Sequence, residues 1–127
     1  MTTSINIYHE FLAKIAPFDK LDSTVLDGIV NKLEPLRYRM GQAILVKENL
    51  PARIAILYDG QARLLGYPPG AIAPQTLEKL EPGAIIGATS IIRGVPCETA
   101  IASTETVCLT LKVSDFLDLL REEGGRG

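Results

Sequence analysis

Residues 83–100 read GAIIGATSIIRGVPCETA, and this stretch carries the strongest fold signal in the chain. A short apolar run ends at Gly87, small and hydroxyl residues follow, and a Gly-Val-Pro turn leads into another apolar segment. A glycine followed by small residues at the start of a helical turn presents backbone N–H groups that can bind an anion. The pattern therefore predicts a phosphate-binding loop at residues 83–100.

Helices are predicted at both ends of the chain. Apolar positions at helical spacing predict a first helix from about Ile7 to Pro17 and a second helix that Asp22 or Ser23 caps. A final helix is predicted after Ser114, and three of its apolar side chains are expected to face the core: Phe116, Leu117 and Leu120.

Short strands are predicted between these helices. Runs of apolar and β-branched residues alternate with turn residues, and Asp59-Gly60 predicts a two-residue hairpin. Two later runs, residues 98–102 and 106–111, predict a further pair of strands. Many short strands between terminal helices predict a barrel or a jelly roll.

The composition excludes several classes of function. The chain has 127 residues, 46% of them hydrophobic, and a formal net charge of −2, which suits one globular domain and disfavours a nucleic-acid partner. No apolar run is long enough to span a bilayer, and no signal peptide opens the chain. The two cysteines lie in unlike contexts, so a cytoplasmic protein is expected. The ending EEGGRG is typical of a linker, and we expect a piece of a longer protein.

Landmarks along residues 18–120 occur in a specific order. They are FDKL at 18–21, GQ at 41–42, ILYDGQARL at 56–64, LEKLEPGAIIG at 77–87 and CLTLKVSDFLDLL at 108–120. This order resembles the cyclic nucleotide-binding domain family. The resemblance implies a mainly β fold with flanking helices: an eight-stranded β jelly roll with helices at its N- and C-terminal ends. It divides the chain into an N-terminal helical segment (1–17), a β-roll domain (18–121) and a linker or chain end (122–127).

The resemblance also identifies a phosphate-binding cassette, which in the family is similar to Phe-Gly-Glu-Leu-Ala followed by Pro-Arg-x-Ala-Thr. Gly87 and Pro96 match this cassette. Ala88 replaces the Glu that accepts a hydrogen bond from the ribose 2′-hydroxyl, and Cys97 replaces the Arg that pairs with the phosphate. Glu98 stands where the family usually has a small residue. The resemblance therefore predicts a pocket that does not bind cAMP or cGMP tightly.

The predicted pocket still offers polar groups. Backbone N–H groups of residues 87–90, two hydroxyls and Arg93 could hold a different small anion or nucleotide, which is the alternative function. Cys97 is either a redox-sensitive thiol or only a small replacement for arginine, and both interpretations stay open. The candidate ligand-binding residues are Ile86, Gly87, Ala88, Thr89, Ser90, Arg93, Pro96, Cys97, Glu98 and Thr99.

The sequence favours a regulatory or interaction module and not an enzyme. Ser90 has no partner histidine in a suitable motif, so no catalytic residue is predicted. His9 is the only histidine, which disfavours a metal-dependent cupin, and no metal or cofactor is expected. The resemblance implies fusion to an effector domain, as in bacterial peptide-exporting ABC transporters. Such a module would lie in the cytoplasm or at the cytoplasmic face of a membrane protein without entering the membrane, and a homodimer is left open.

Overall fold

The structure is a computed structural model that describes residues 2–46, 48–66, 69–70, 72–95 and 98–125. Within these ranges, the chain forms two four-stranded antiparallel sheets and four α-helices, together with a 3-10 turn at Phe18–Lys20. The helices are α1 (Thr2–Leu12), α2 (Ser23–Lys32), α3 (Ala88–Arg93) and α4 (Val113–Gly125). The strands are β1 (Glu34–Tyr38), β2 (Ala43–Leu45), β3 (Arg53–Asp59), β4 (Ala62–Gly66), β5 (Gln75–Leu80), β6 (Ile85–Ile86), β7 (Thr99–Ala102) and β8 (Thr106–Lys112).

The strand order confirms the predicted jelly roll. One sheet has the order β1-β8-β3-β6, and the other has the order β2-β7-β4-β5. Consecutive strands therefore lie in different sheets at every connection except β4 to β5, and two of these connections are the corners from β3 to β4 and from β7 to β8. The predicted hairpin at Asp59-Gly60 and the predicted pairing of 98–102 with 106–111 are wrong, although the four strands themselves are present.

The packing of the two corners explains why Asp59-Gly60 forms a turn without pairing β3 with β4. Gly60 has φ +100°, as an Asp-Gly turn requires, and a side chain there would place its Cβ 2.5 Å from the Glu105 carbonyl oxygen. The chain thus turns sharply at Gly60 because the second corner packs against it. The dipeptide specifies the local backbone turn but not the strand that pairs beyond it.

The core has two layers on the opposite faces of β3. Ile54 and Ile56 pack against the helices, and Ala55 and Leu57 pack between the sheets. Because both faces are covered, β3 is a continuous apolar run and not an alternating one. Residues of α1, α2 and α4 close the first layer, and residues of β2, β4 and β5 contribute to the second.

The helix ends differ in detail from the sequence predictions. The Asp22 side chain accepts a hydrogen bond from the Val25 N–H at 2.9 Å, which confirms it as the cap of α2. α1 begins at Thr2, earlier than predicted. In α4, Phe116 is buried as predicted, but Leu117 is 36% exposed and Leu119 is buried in its place. α4 also continues to Gly125, into the stretch predicted as a linker.

Candidate functional site

The candidate site begins where β6 ends and α3 starts. Gly87 adopts φ +100°, and the Ile91 N–H donates to the Gly87 carbonyl at 3.2 Å. A Cβ on Gly87 would lie in ordinary van der Waals contact with Pro51 Cγ at 3.4 Å, so it is the backbone angle that favours glycine. Gly94, at φ +77°, ends the helix. The predicted short helical turn after Gly87 is therefore present.

The Glu98 side chain accepts a hydrogen bond from one of the backbone amides of this turn. Its Oε1 accepts hydrogen bonds from the Ser90 backbone N–H at 3.0 Å and from Ser90 Oγ at 3.1 Å. Ser90 is only 1% exposed, so these bonds form largely out of water. A carboxylate of the chain itself therefore satisfies the kind of donor that a bound anion would use at a helix start.

A cavity of about 270 Å³ lies beside α3. Its walls come from β4, β5, β6 and α3, and they are apolar except for Thr89 and two carboxylates, Glu78 and Glu98. None of the described residues that line it is a lysine, an arginine or a histidine. The lining residues are Leu64, Glu78, Leu80, Ala84, Ile85, Ile86, Thr89 and Glu98.

Only some of the predicted pocket residues meet at this cavity. Ile86, Thr89 and Glu98 line it, and Ser90 lies directly behind Glu98. Thr99 is buried at the start of β7, where it pairs with Leu65 of β4.

The remaining predicted positions lie elsewhere or outside the described residues. Ala88 is half-buried and packs against the core layer under the helices. Arg93 is exposed in the last turn of α3 and is not among the residues that line the cavity. Pro96 and Cys97 fall outside the described residues.

Sequence reasoning missed Glu78 as a cavity residue. It pairs with Leu64 in the β4–β5 register and lies two residues before the buried Leu80, so the two side chains share one face of β5, with Glu78 exposed at the rim of the cavity. The period of two along residues 75–80 contains this information. This alternation identifies Glu78 as a cavity residue only once it is known which face of the sheet lines the cavity.

Other reactive groups are held in the scaffold. His9 Nδ1 contacts Asp27 Oδ1 and links α1 to α2. Cys108 is fully buried, and burial raises the pKa of its thiol to about 12, so the thiolate is disfavoured at neutral pH. Burial, with a smaller effect of Cys108, also raises the pKa of Tyr38. Within the part of the chain that the structure describes, no group of three or more His, Cys, Asp or Glu side chains could hold a metal ion.

No described helix has both the length and the apolar character needed to cross a membrane.

A family model described as the cyclic nucleotide-binding domain matches residues 35–123, which is more than half of the chain. No curated protein sequence matches the chain.

Solved structures with the same fold come from distant organisms. The regulatory domain of Toxoplasma gondii PKA with cAMP has a TM-score of 0.82 and 21% identity, over 99% of this chain and 51% of that one. The regulatory subunit of a cAMP-independent protein kinase A from Trypanosoma cruzi, bound to guanosine, has a TM-score of 0.78 and 18% identity, over 86% and 38%. The Thermus thermophilus catabolite activator protein has a TM-score of 0.71 and 25% identity, over 84% and 50%. The chain thus spans about half or less of the length of these structures.

Proposed function

Because the chain belongs to the cyclic nucleotide-binding domain family, we propose that it is a non-catalytic regulatory or interaction module that does not bind cAMP or cGMP tightly. The hydrogen bonds from Ser90 to Glu98 carry this proposal. The resemblance assigns the amides of this turn to the cyclic phosphate, and the Glu98 carboxylate already accepts from one of them. A nucleotide phosphate would have to displace that carboxylate or lie beside a like charge.

Two lost side chains add to this effect. Ala88 cannot accept from a ribose hydroxyl, and Cys97 cannot pair with a phosphate as an arginine does. A hydrogen bond to a charged group contributes about 1.5–3 kcal/mol, so the loss of two lowers affinity by roughly two to four decades. Glu98 lowers it further through repulsion.

A second candidate function is that of a sensor for a different small anionic or nucleotide ligand in the same pocket. The cavity of about 270 Å³ supports ligand binding as such. The guanosine in the Trypanosoma cruzi structure supports a nucleoside-type ligand in this fold. Under this candidate, the residues around α3 would bind a ligand that differs from the cyclic nucleotides of the family.

We further propose that the module regulates a larger protein at the cytoplasmic side of a membrane, in the class of bacterial peptide-exporting ABC transporters. The general association of this family with effector domains supports a larger parent, as does the limited span of the chain on its structural neighbours, 51% and 38% for the first two. The complete coding sequence tests the proposal. Membrane spans with a peptidase or Walker motif would support it, and an effector of another kind would contradict it.

Calorimetric titration with cAMP and with cGMP tests the main proposal. We expect no saturable binding in the micromolar range for either nucleotide. A micromolar dissociation constant for either one would overturn the proposal.

A series of gain-of-binding variants identifies which residues prevent tight binding of cyclic nucleotides. We expect Ala88→Glu with Cys97→Arg to bind cAMP weakly, and the same pair with Glu98→Ala to bind at least ten-fold more tightly, because only the triple variant frees the Ser90 amide. The melting temperature of each variant is the control, since Ala88 packs against the core. Equal affinities of the double and triple variants would remove Glu98 from the explanation.

A further inference from the structure

The cavity beside α3 combines apolar walls with two carboxylates and no cationic lining residue among those described. We propose that it binds a small, phosphate-free ligand that presents a planar pair of N–H donors, as the guanine base of a nucleoside or a guanidinium group does. This inference rests on the second candidate function above, that of a ligand sensor, but changes the ligand class given there. It replaces an anionic ligand with a donor-rich, neutral or cationic one.

The charge of the cavity selects against anions. Glu78 and Glu98 line the same space, and like charges in a partly enclosed site repel more strongly than in bulk water. Ser90 donates to Glu98, so the strongest donors near the cavity already have an acceptor within the chain. A phosphate or carboxylate would therefore meet repulsion without gaining these donors, whereas a donor-rich ligand would meet two acceptors.

Glu78 supplies the acceptor that a paired donor requires. It is exposed at the rim of the cavity, opposite Leu64 in the β4–β5 register, and its carboxylate forms no hydrogen bond or ion pair with any other described residue. An ionised carboxylate only accepts hydrogen bonds and can accept two parallel ones. Guanine presents N1–H and N2–H side by side, and a guanidinium presents the same pair. Adenine places an acceptor at N1 and would oppose the carboxylate.

The remaining walls suit a flat ligand of modest size. A volume of about 270 Å³ lies just below the common range of about 300–1,000 Å³ for small-molecule sites, so it favours a ligand no larger than a nucleoside. Leu64, Leu80 and Ile85 offer apolar surface to a planar ring, while the two carboxylates orient its edge. Shape and charge therefore favour the same class.

Calorimetry with four compounds tests the ligand class: guanosine, agmatine as a guanidinium compound, adenosine, and cGMP. We expect guanosine or agmatine to bind with a dissociation constant below about 1 mM, and adenosine and cGMP to bind at least ten-fold more weakly than the better of the two. The compound that binds more tightly shows whether the paired N–H donors belong to a guanine base or to a guanidinium group. Failure of both, or equal binding of adenosine or cGMP, would overturn the inference.

Charge-neutral variants test the two carboxylates. We expect Glu78→Gln to weaken the bound compound about ten-fold or more, and Glu98→Gln to weaken it to a similar extent. Glu81→Gln is the matched control, because Glu81 is exposed and does not line this cavity. If Glu98→Gln disturbs α3, Glu78→Gln decides alone, and an unchanged affinity in it would contradict the inference.

The two proposals fail in distinguishable ways. An absence of guanosine and agmatine binding, with cAMP and cGMP also weak, removes the ligand class and leaves the regulatory module standing. Micromolar binding of cAMP or cGMP removes the proposed loss of cyclic nucleotide binding.

Discussion

One side chain, Glu98, accounts for most of what is unusual at the candidate site. The family resemblance places a small residue at this position, and a small residue cannot reach the α3 amides. Here the carboxylate accepts from both the N–H and the hydroxyl of the buried Ser90. It stabilises the turn without a ligand.

Removal of the Glu98 carboxylate is therefore expected to destabilise the fold. We predict that Glu98→Ala lowers the free energy of unfolding by about 1–3 kcal/mol, because the Ser90 N–H loses this acceptor. Urea denaturation measures the change. Glu81→Ala, at an exposed position, serves as the control and should change stability by less than about 0.5 kcal/mol. A Glu98→Ala variant as stable as the control would show that the contact contributes nothing.

Among the elements, the corners between strands determine how the roll closes. Gly60, Gly87 and Gly94 all have positive φ, but their surroundings differ. A Cβ on Gly60 would meet the Glu105 carbonyl oxygen at 2.5 Å, and one on Gly87 would lie 3.4 Å from Pro51 Cγ. A Cβ on Gly94 would meet no atom within 4 Å. The three glycines thus separate backbone strain from steric overlap.

Alanine substitution at these glycines should rank accordingly. We expect Gly94→Ala to cost about 1–2 kcal/mol through the left-handed backbone alone. Gly87→Ala should cost about the same, because its nearest neighbour lies at an ordinary contact distance, and Gly60→Ala should cost the most, because its neighbour is backbone that cannot rotate away. Thermal and urea unfolding of the three variants give the order. If Gly60→Ala were no worse than Gly94→Ala, close packing of the two corners would be excluded.

In the whole molecule, two core layers share one sheet. Ile56 and Leu57 are adjacent in β3 and fully buried, yet Ile56 packs against the helices and Leu57 packs between the sheets. The helices and the roll therefore stabilise each other through the backbone of the same strand. We expect them to unfold as one cooperative unit.

Truncation in each layer tests this cooperativity. Ile56→Ala and Leu57→Ala should each lower the free energy of unfolding by about 2–5 kcal/mol, with one transition seen by both circular dichroism and near-ultraviolet absorbance. Leu77→Ala is the control, because Leu77 is exposed on β5. Separate transitions in Ile56→Ala would show that the helices form an independent layer.

Much of the fold can be read from local patterns. The Asp22 cap, the apolar run of β3, the Gly87 turn and the terminal helices all depend on residues close together in the sequence. The family landmarks added the jelly roll. The predictions that failed involve distant partners or side-chain direction: the pairing beyond Asp59-Gly60, and the outward side of Leu117. A turn or a helical period does not determine these.

The sequence alone determined the order of the elements and the glycine turn at residue 87, and its family resemblance implied that Ala88 and Cys97 replace two ligand-binding residues. Only the tertiary structure decided that Glu98 accepts from Ser90 and that Glu78 faces the same cavity. Sheet order and register bring Glu78 of β5 and Glu98 before β7 to one space, although 20 positions separate them in the chain. The charge of a cavity is the sum of the charges of the residues that line it. Because these residues are distant in the sequence, the charge depends on how the two sheets pack.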